Sequence, residues 1–295
     1  MRFSSVLSVI SENAGSLAAD IDQWFGPSRA QVPLTWLSDD HAFEVPIAGD
    51  PAKALAEAHA RASLLAADIN VVPVEGRRKK LLIADMDSTI ISCECLDELA
   101  DMAGLKAKVS AITERAMRGE IEFAGALRER VALLKGLSLE ALERVWRERV
   151  RLNPGAQELV ATMKAHGAKT LLVSGGFTFF SSRVAEAAGF DEHQSNVLFD
   201  DGKALTGEVR DPILGKEAKL AALERALQRH ELQPDDVLAV GDGANDLAMI
   251  QRAGLGVAYH AKPVVAAAAG ASINHNDLTA LLYLQGYRED EIVRS

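Results

Sequence analysis

Two aspartates one residue apart, Asp85 and Asp87, follow the short apolar run Leu81–Ala84 in this 295-residue chain. Residues two apart in an extended chain point to the same side, so we expect both carboxylates to face one crevice. Like charges at that range repel each other, and a divalent cation or a proton on one partner relieves the repulsion. The pair therefore predicts acid–base or metal chemistry where the run ends.

Two later apolar runs, residues 168–173 and 237–240, also end in polar groups, and a helical segment between them carries a lysine. These further candidates are Ser174, Gly175, Lys219, Asp242, Asn245 and Asp246. Each motif alone is more often a turn, a solvated loop or a surface charge. Because the carboxyl ends of parallel strands meet at one sheet edge, where ligands bind in open α/β folds, we expect these residues to converge.

Phosphoryl transfer needs the groups that this set contains. An aspartate is ionised near neutral pH and can act as a nucleophile without a base. Mg²⁺ held by oxygen ligands from Asp85 and Asp242 would offset the repulsion between that nucleophile and a phosphate. Lys219 and the N–H groups around Ser174 suit the phosphoryl oxygens. Asp87, beside the nucleophile, suits protonation of a leaving alkoxide and activation of water.

The elements that must position these groups follow from hydrophobic spacing. From residue 153 onward, apolar strands alternate with amphipathic helices, which predicts a parallel sheet with helices on both faces. Asn153 is predicted to cap a helix that opens with Pro154, and residues 200–203 favour a small hairpin. Residues 94–152 are rich in helix formers and predict a helical cap over the carboxylates. The catalytic core is therefore assigned to residues 79–93 and 153–295.

Residues 1–78 predict a separate α+β module without a chemical motif, with strands near 3–10, 43–47 and 69–74 and helices at 16–25 and after Pro51. Its element order resembles the regulatory ACT domains, and an interaction or dimerisation module is the alternative, so a homodimer is one assembly that the sequence allows. The module is marginal in size alone. We expect it to be dispensable for chemistry.

Composition excludes several function classes. The net charge of −10 argues against nucleic-acid or anionic-membrane binding, because such binding needs a basic surface. No apolar run approaches membrane-spanning length, and the N-terminus lacks the pattern of a secretory signal. Cys93 and Cys95 are interpreted as reduced packing thiols. Together these features predict a cytoplasmic protein.

The motifs resemble those of the haloacid dehalogenase superfamily. The resemblance covers residues 80–275 and lies in four stretches: 85–89, 174–176, the lysine at 219, and 241–246. The stretches 173–177 and 240–246, and cap residues Glu94, Phe123 and Arg130, are similar to the members of that superfamily that hydrolyse phosphoserine. The resemblance therefore implies a doubly wound sheet with a cap, and Mg²⁺-dependent hydrolysis of O-phospho-L-serine in serine biosynthesis.

The resemblance also implies a role for each candidate. Asp85 would become an aspartyl phosphate, and Asp87 would act as acid and base while its carbonyl binds the metal. Asp242 would complete the metal ligands, with Asp246 as a supporting carboxylate. Ser174, Gly175, Lys219, Asn245 and Phe123 would contact phosphate or substrate, Glu94 the substrate ammonium and Arg130 its carboxylate.

Two alternatives stay open at this stage. One is a related phosphatase, or a phosphotransferase that passes the phosphoryl group to an alcohol such as homoserine. The other is a regulatory protein in which residues 1–78 sense a metabolite and the site is vestigial. The intact set of charged residues speaks against a vestigial site.

Overall fold

The computed structural model describes residues 3–25, 33–62, 65–118 and 120–294. Strands and helices follow one another in an order that changes from β-rich to helical and then to alternating. In chain order they are β1 Ser5–Ile10, α1 Ala14–Phe25, β2 Thr35–Ser38, β3 Ala42–Pro46, α2 Pro51–Ala62, β4 Asp68–Pro73, β5 Leu81–Ala84, α3 Cys95–Met102, α4 Lys106–Met117, α5 Phe123–Leu133, α6 Leu139–Glu148, α7 Ala156–Ala165, β6 Lys169–Phe177, α8 Thr178–Ala188, β7 Glu192–Asn196, β8 Leu198–Asp200, β9 Leu205–Val209, α9 Lys216–His230, β10 Val237–Gly241, α10 Leu247–Arg252, β11 Leu255–Tyr259, α11 Pro263–Ala266, β12 Ala271–Ile273 and α12 Ala280–Leu284.

A six-stranded parallel sheet forms the centre of the larger unit, in the order β12-β11-β10-β5-β6-β7. Alternate residues of β5 point to opposite faces, so Leu82 and Ala84 join one core cluster and Leu81 and Ile83 another. Helices α7, α8 and α12 contribute to the first cluster, and α9 and α10 to the second. The predicted α/β doubly wound sheet is confirmed.

The strand β6 continues further than the sequence indicates. It was expected to end at Val173, but it extends to Phe177, with a shift in its register against β7 after Val173. The predicted Asn153 cap is wrong: α7 begins at Ala156 after Gly155, which has a left-handed φ of 78°. The Asn153 side chain instead donates to the carbonyl of Thr89.

The cap comprises α3 to α6, between β5 and α7. The chain enters and leaves it side by side, because Ile91 and Leu152 form an antiparallel bridge. The cap is also tied to the hairpin β8–β9. Three backbone hydrogen bonds join them, from Gly136 N–H to Leu205 (2.8 Å), from Leu205 N–H to Leu137 (2.9 Å) and from Leu139 N–H to Lys203 (2.9 Å).

The N-terminal module is a four-stranded antiparallel sheet in the order β2-β3-β1-β4, with the β-α-β-β-α-β element order of ferredoxin-like folds. Strand β2 is an element that the sequence pattern did not indicate. Leu7 and Val9 of β1 face the helices of the module, whereas Val6 and Ile10 join the core cluster that contains Tyr283 of α12. Both faces of this sheet are therefore covered. Among the described residues no helix is long and apolar enough to cross a membrane.

Candidate active site

Asp85 lies directly after the central strand β5, and the backbone is extended at Asp85 and again at Asp87. Asp85 has φ −69° and ψ 160°, and Asp87 has φ −66° and ψ 136°. At Ser88 the chain turns back through a left-handed conformation, φ 57° and ψ 0°, and Ile91 N–H then bonds the Met86 carbonyl at 3.0 Å. The turn projects the two aspartates from the carboxyl edge of the sheet.

Three carboxylates meet at this edge. Asp85, Asp242 and Asp246 each offer an oxygen within 4.8 Å of the others, and Asp242 and Asp246 come from the loop after β10. Lys219 of α9 reaches between them, with its Nζ 2.6 Å from Asp85 and 2.5 Å from Asp246. Lys219, Asp85 and Asp246 are buried. One ammonium thus faces three carboxylates.

This excess negative charge affects the pKa values. Burial, followed by the nearby charge of Asp246, raises the pKa of Asp85 well above its usual range and also raises the pKa of Asp242. Burial acts against the Lys219 ammonium, but the charges of Asp85 and Asp246 outweigh it and raise the pKa of Lys219. Oxygen ligands are the ones that Mg²⁺ and Ca²⁺ prefer. The donor set and its uncompensated charge fit a hard divalent cation.

Asp87 lies in a different environment from Asp85. Its Oδ1 accepts from the Cys95 backbone N–H at 2.9 Å and its Oδ2 from the Ser174 hydroxyl at 3.1 Å. Burial raises its pKa, against the effect of these hydrogen bonds. Its carboxylate is not part of the three-carboxylate cluster. Asp85 is paired with the Lys219 ammonium, which favours its ionised form, whereas Asp87 accepts hydrogen bonds from neutral groups, so the two aspartates suit different roles.

The segment Ser174–Gly176 lies beside Asp87. The Ser174 hydroxyl accepts from Gly176 N–H at 2.8 Å, and the Asn196 side chain donates to the Gly175 carbonyl at 2.8 Å. A Cβ atom at position 176 would lie 2.9 Å from Asp87 Oδ2, so only glycine allows this approach.

Phe123, the first residue of α5, reaches from the cap to the core. Its ring would lie 3.5 Å from a Cβ on Gly175 and 3.2 Å from one on Gly215. The ring is nevertheless 41% exposed. An aromatic side chain that is open to solvent and rests on glycine backbone forms a wall of the crevice between cap and core.

Glu94 and Arg130 are the charged cap residues that the sequence singled out. Glu94 accepts from the Ser88 hydroxyl at 2.7 Å, and desolvation together with the Asp87 charge raises its pKa to about 7, although part of the side chain remains open to solvent. Arg130 is half-buried, and burial lowers its pKa against the opposing charges of Asp97 and Glu94. The two opposite charges therefore face the same region.

The neighbouring Arg128 has a different environment. It is exposed and pairs with Asp211 at 2.5 Å. Among the described residues, Arg130 makes two hydrogen bonds and both are long, 3.3 Å to the Ala126 carbonyl and 3.5 Å to the Thr113 hydroxyl. Of the two, Arg130 has the guanidinium left available for a ligand.

The loop after β10 is organised around Asp246. Its Oδ2 accepts from Gly243 N–H at 3.0 Å, and a Cβ on Gly241 would lie 2.5 Å from its Cγ. The Asn245 side chain folds over Gly243 and also lines a surface groove of about 730 Å³ beside Lys216 of α9. Asp246 thus holds Lys219 and shapes the loop at the same time.

Several site residues were not assigned a role from the sequence. Thr89 donates to Asp242 Oδ1 at 3.3 Å, Ser88 fixes Glu94, and Asn196 fixes the Gly175 carbonyl. Ser88 and Thr89 directly follow the aspartate pair, and this position in the sequence could have identified them as site residues. No sequence signal identifies Asn196, because it is the last residue of β7 and lies far from the motifs along the chain.

The chain is similar to several known proteins. Residues 82–251 match the family model of the haloacid dehalogenase-like hydrolases. A phosphoserine phosphatase of Polaromonas sp. is 50% identical over 70% of this chain and 89% of its own length. The unliganded structure of a probable phosphoserine phosphatase of Vibrio cholerae is 31% identical over 98% of this chain and 88% of that one, with a TM-score of 0.80. A phospho-aspartyl intermediate analogue of a phosphoserine phosphatase is 39% identical over 70% and 98% of the two chains, with a TM-score of 0.64.

Proposed function

The chain belongs to the haloacid dehalogenase-like hydrolases, and from this membership we propose that it hydrolyses O-phospho-L-serine to L-serine and phosphate, the last step of serine biosynthesis. One observation supports the chemistry above all: Asp85 is ion-paired in the carboxylate cluster, whereas Asp87 is hydrogen-bonded outside it. Relatives with 50% and 45% identity are named for the same substrate.

Asp85 is the nucleophile in this proposal. Its carboxylate oxygen bonds to phosphorus as the bond from phosphorus to the serine oxygen breaks. Asp87, which lies beside the nucleophile and outside the carboxylate cluster, gives a proton to the leaving alkoxide. Asp87 then takes a proton from the water whose oxygen bonds to phosphorus, and the bond from phosphorus to the Asp85 oxygen breaks, which restores the Asp85 carboxylate and releases phosphate. The relative solved as a phospho-aspartyl intermediate analogue supports this route.

Mg²⁺ is the proposed cofactor. Asp85, Asp242 and the backbone carbonyl of Asp87 would hold it, with Asp246 as a supporting carboxylate through Lys219. Its bound charge would offset the repulsion between the Asp85 carboxylate and the phosphate.

Substrate recognition divides between core and cap. In the core, Ser174, Gly175, Lys219 and Asn245 are proposed to contact the phosphoryl group. In the cap, Glu94 would bind the ammonium and Arg130 the carboxylate, since a zwitterion requires one charge of each sign. Phe123, which lies against Gly175, would close the crevice over the substrate.

The proposed setting is cytoplasmic, and assembly as a homodimer remains a prediction that analytical ultracentrifugation would test. The activity is tested by phosphate release from a panel of small phosphomonoesters, with Mg²⁺ and with EDTA. Phosphoserine should be the preferred substrate, EDTA should abolish turnover, and Asp85→Asn should be inactive with an unchanged circular dichroism spectrum. Adding homoserine distinguishes hydrolysis from phosphotransfer, because only a transferase would form a new phosphate ester. Near-normal turnover by Asp85→Asn would exclude the mechanism.

A further inference from the structure

The side chain of Asp68, the first residue of β4 in the N-terminal module, is bound by the catalytic core. Its buried carboxylate accepts four hydrogen bonds from residues 274–276: from Asn274 N–H at 2.7 Å, His275 N–H at 3.1 Å, Asn276 N–H at 2.9 Å and the Asn276 side chain at 2.8 Å. In the described part of the chain no lysine or arginine forms an ion pair with it. Asp68 therefore fixes the shape of this one core loop.

The loop, residues 274–278 between β12 and α12, packs against the point where the chain leaves the cap. Leu278 N–H donates to the Pro154 carbonyl at 3.1 Å. A Cβ on Gly155 would lie 3.0 Å from Asp277 Oδ1 in this loop and 2.5 Å from the backbone nitrogen of Thr279 just after it, so the two segments are in direct contact. The loop also contacts the segment after β11, where the His260 ring bonds the Asn276 carbonyl at 3.1 Å.

Asn153, next to Pro154, connects this point to the catalytic turn. Its backbone N–H donates to the Ile90 carbonyl at 2.8 Å, and its side chain donates to the Thr89 carbonyl at 2.8 Å. The Thr89 hydroxyl in turn donates to Asp242. A continuous series of hydrogen bonds and backbone contacts thus runs from the N-terminal module to the carboxylate cluster.

We propose that Asp68 is a positioning residue: through the loop 274–278 and Asn153, the N-terminal module holds the turn that carries Asp85 and Asp87. Another contact of the module provides a comparison. Asn70 also makes two hydrogen bonds to the core, from Ser272 N–H at 2.8 Å and to the Ser272 carbonyl at 2.9 Å, but those bonds end on β12 and do not reach the loop. If both residues served docking alone, any loss of kcat in either variant would follow its loss of stability.

The test compares Asp68→Asn with Asn70→Ala in the full-length protein. The amide of Asp68→Asn must point its NH₂ group at one of the loop N–H groups, so that donor loses its acceptor. We expect Asp68→Asn to lower kcat for phosphoserine about tenfold with KM within about threefold, and Asn70→Ala to lower kcat less than twofold. In the Asn153→Ala background, Asp68→Asn should lower kcat little further, because the effects of substitutions in one hydrogen-bond network do not add.

A second readout does not depend on the proposed function, on which the kinetic comparison rests. Hydrogen–deuterium exchange should become faster in Asp68→Asn at residues 86–92 and 150–156, and should stay unchanged there in Asn70→Ala. Unchanged exchange at both segments in Asp68→Asn would overturn the proposal. So would equal losses of kcat in the two variants at similar thermal midpoints. If the wild type fails to release phosphate from phosphoserine, the proposed function fails, while the exchange comparison still decides the role of Asp68.

Discussion

Removing the Arg130 side chain should change substrate choice more than any other property of the protein. The guanidinium is half-buried in the cap, and its present hydrogen bonds, at 3.3 Å and 3.5 Å, are long. A substrate carboxylate would supply the charged partner that these contacts lack. A charge-assisted hydrogen bond contributes about 1.5–3 kcal/mol. At about 1.4 kcal/mol per factor of ten, Arg130→Ala should lower kcat/KM for O-phospho-L-serine by about tenfold to 150-fold.

The assay uses two substrates that differ in one group. O-phosphoethanolamine keeps the phosphate and the ammonium but lacks the carboxylate, so Arg130→Ala should lower its kcat/KM by less than about threefold. The kcat/KM of Arg130→Lys for O-phospho-L-serine should lie between those of the wild type and Arg130→Ala, because lysine keeps the positive charge but lacks the planar guanidinium that binds a carboxylate with two hydrogen bonds. Arg128→Ala is the matched control, since Arg128 is exposed and already paired with Asp211. Equal losses on both substrates would mean that Arg130 supports the cap and does not read the carboxylate.

Three further predictions test the cluster, the cap and the module. Lys219→Met should lower the free energy of unfolding by about 3–5 kcal/mol without Mg²⁺, and by less with Mg²⁺, because the buried carboxylates of Asp85 and Asp246 lose their ammonium partner. Urea unfolding measures this loss, with Lys216→Met at an exposed position as the control, and a loss below about 1 kcal/mol without Mg²⁺ would contradict the prediction. Glu94, with a pKa of about 7, is mostly protonated at pH 6 and mostly ionised at pH 8, so KM for phosphoserine should fall about tenfold over that range relative to Glu94→Gln. If KM changes with pH in the same way in the wild type and in Glu94→Gln, Glu94 does not bind the ammonium. A chain that begins at Arg77 should aggregate or lose more than tenfold in kcat, and a soluble variant with nearly full activity would refute both this expectation and the role of Asp68.

The sequence alone predicts a different result for a chain that lacks the N-terminal module. From the sequence, residues 1–78 were expected to be dispensable, because they carry no catalytic motif. The structure adds that β1 packs on α12 and that Asp68 holds a core loop. Neither fact has a local signature: Asp68 is more than 200 residues from its partners, and one aspartate before an apolar strand is unremarkable in a sequence.

The parallel sheet and the convergence of the motif residues were predictable for a general reason. Strand ends in a parallel sheet share one edge, so polar residues that follow apolar runs must meet there. The supporting bonds were not predictable in the same way. Asn196 and Asn153 act through backbone carbonyls of residues 21 and 64 positions away, and such bonds depend on how the turns lie in space. Sequence spacing therefore predicted which polar groups converge at the sheet edge but missed the residues that orient them.

The bonds between the cap and the hairpin β8–β9 set a rule for exchanging parts between related proteins. Chain order suggests that the cap is one insert, residues 94–152, that could be replaced by a cap from a relative with another substrate. Such a chimaera would leave Leu205 and Lys203 without the partners at residues 136–139 that their backbone groups now have. A cap that can be exchanged therefore consists of two separate segments, 94–152 and 197–210. A chimaera that carries both segments should keep the hydrogen bonds between cap and hairpin, and a chimaera that carries only the first segment should lose them.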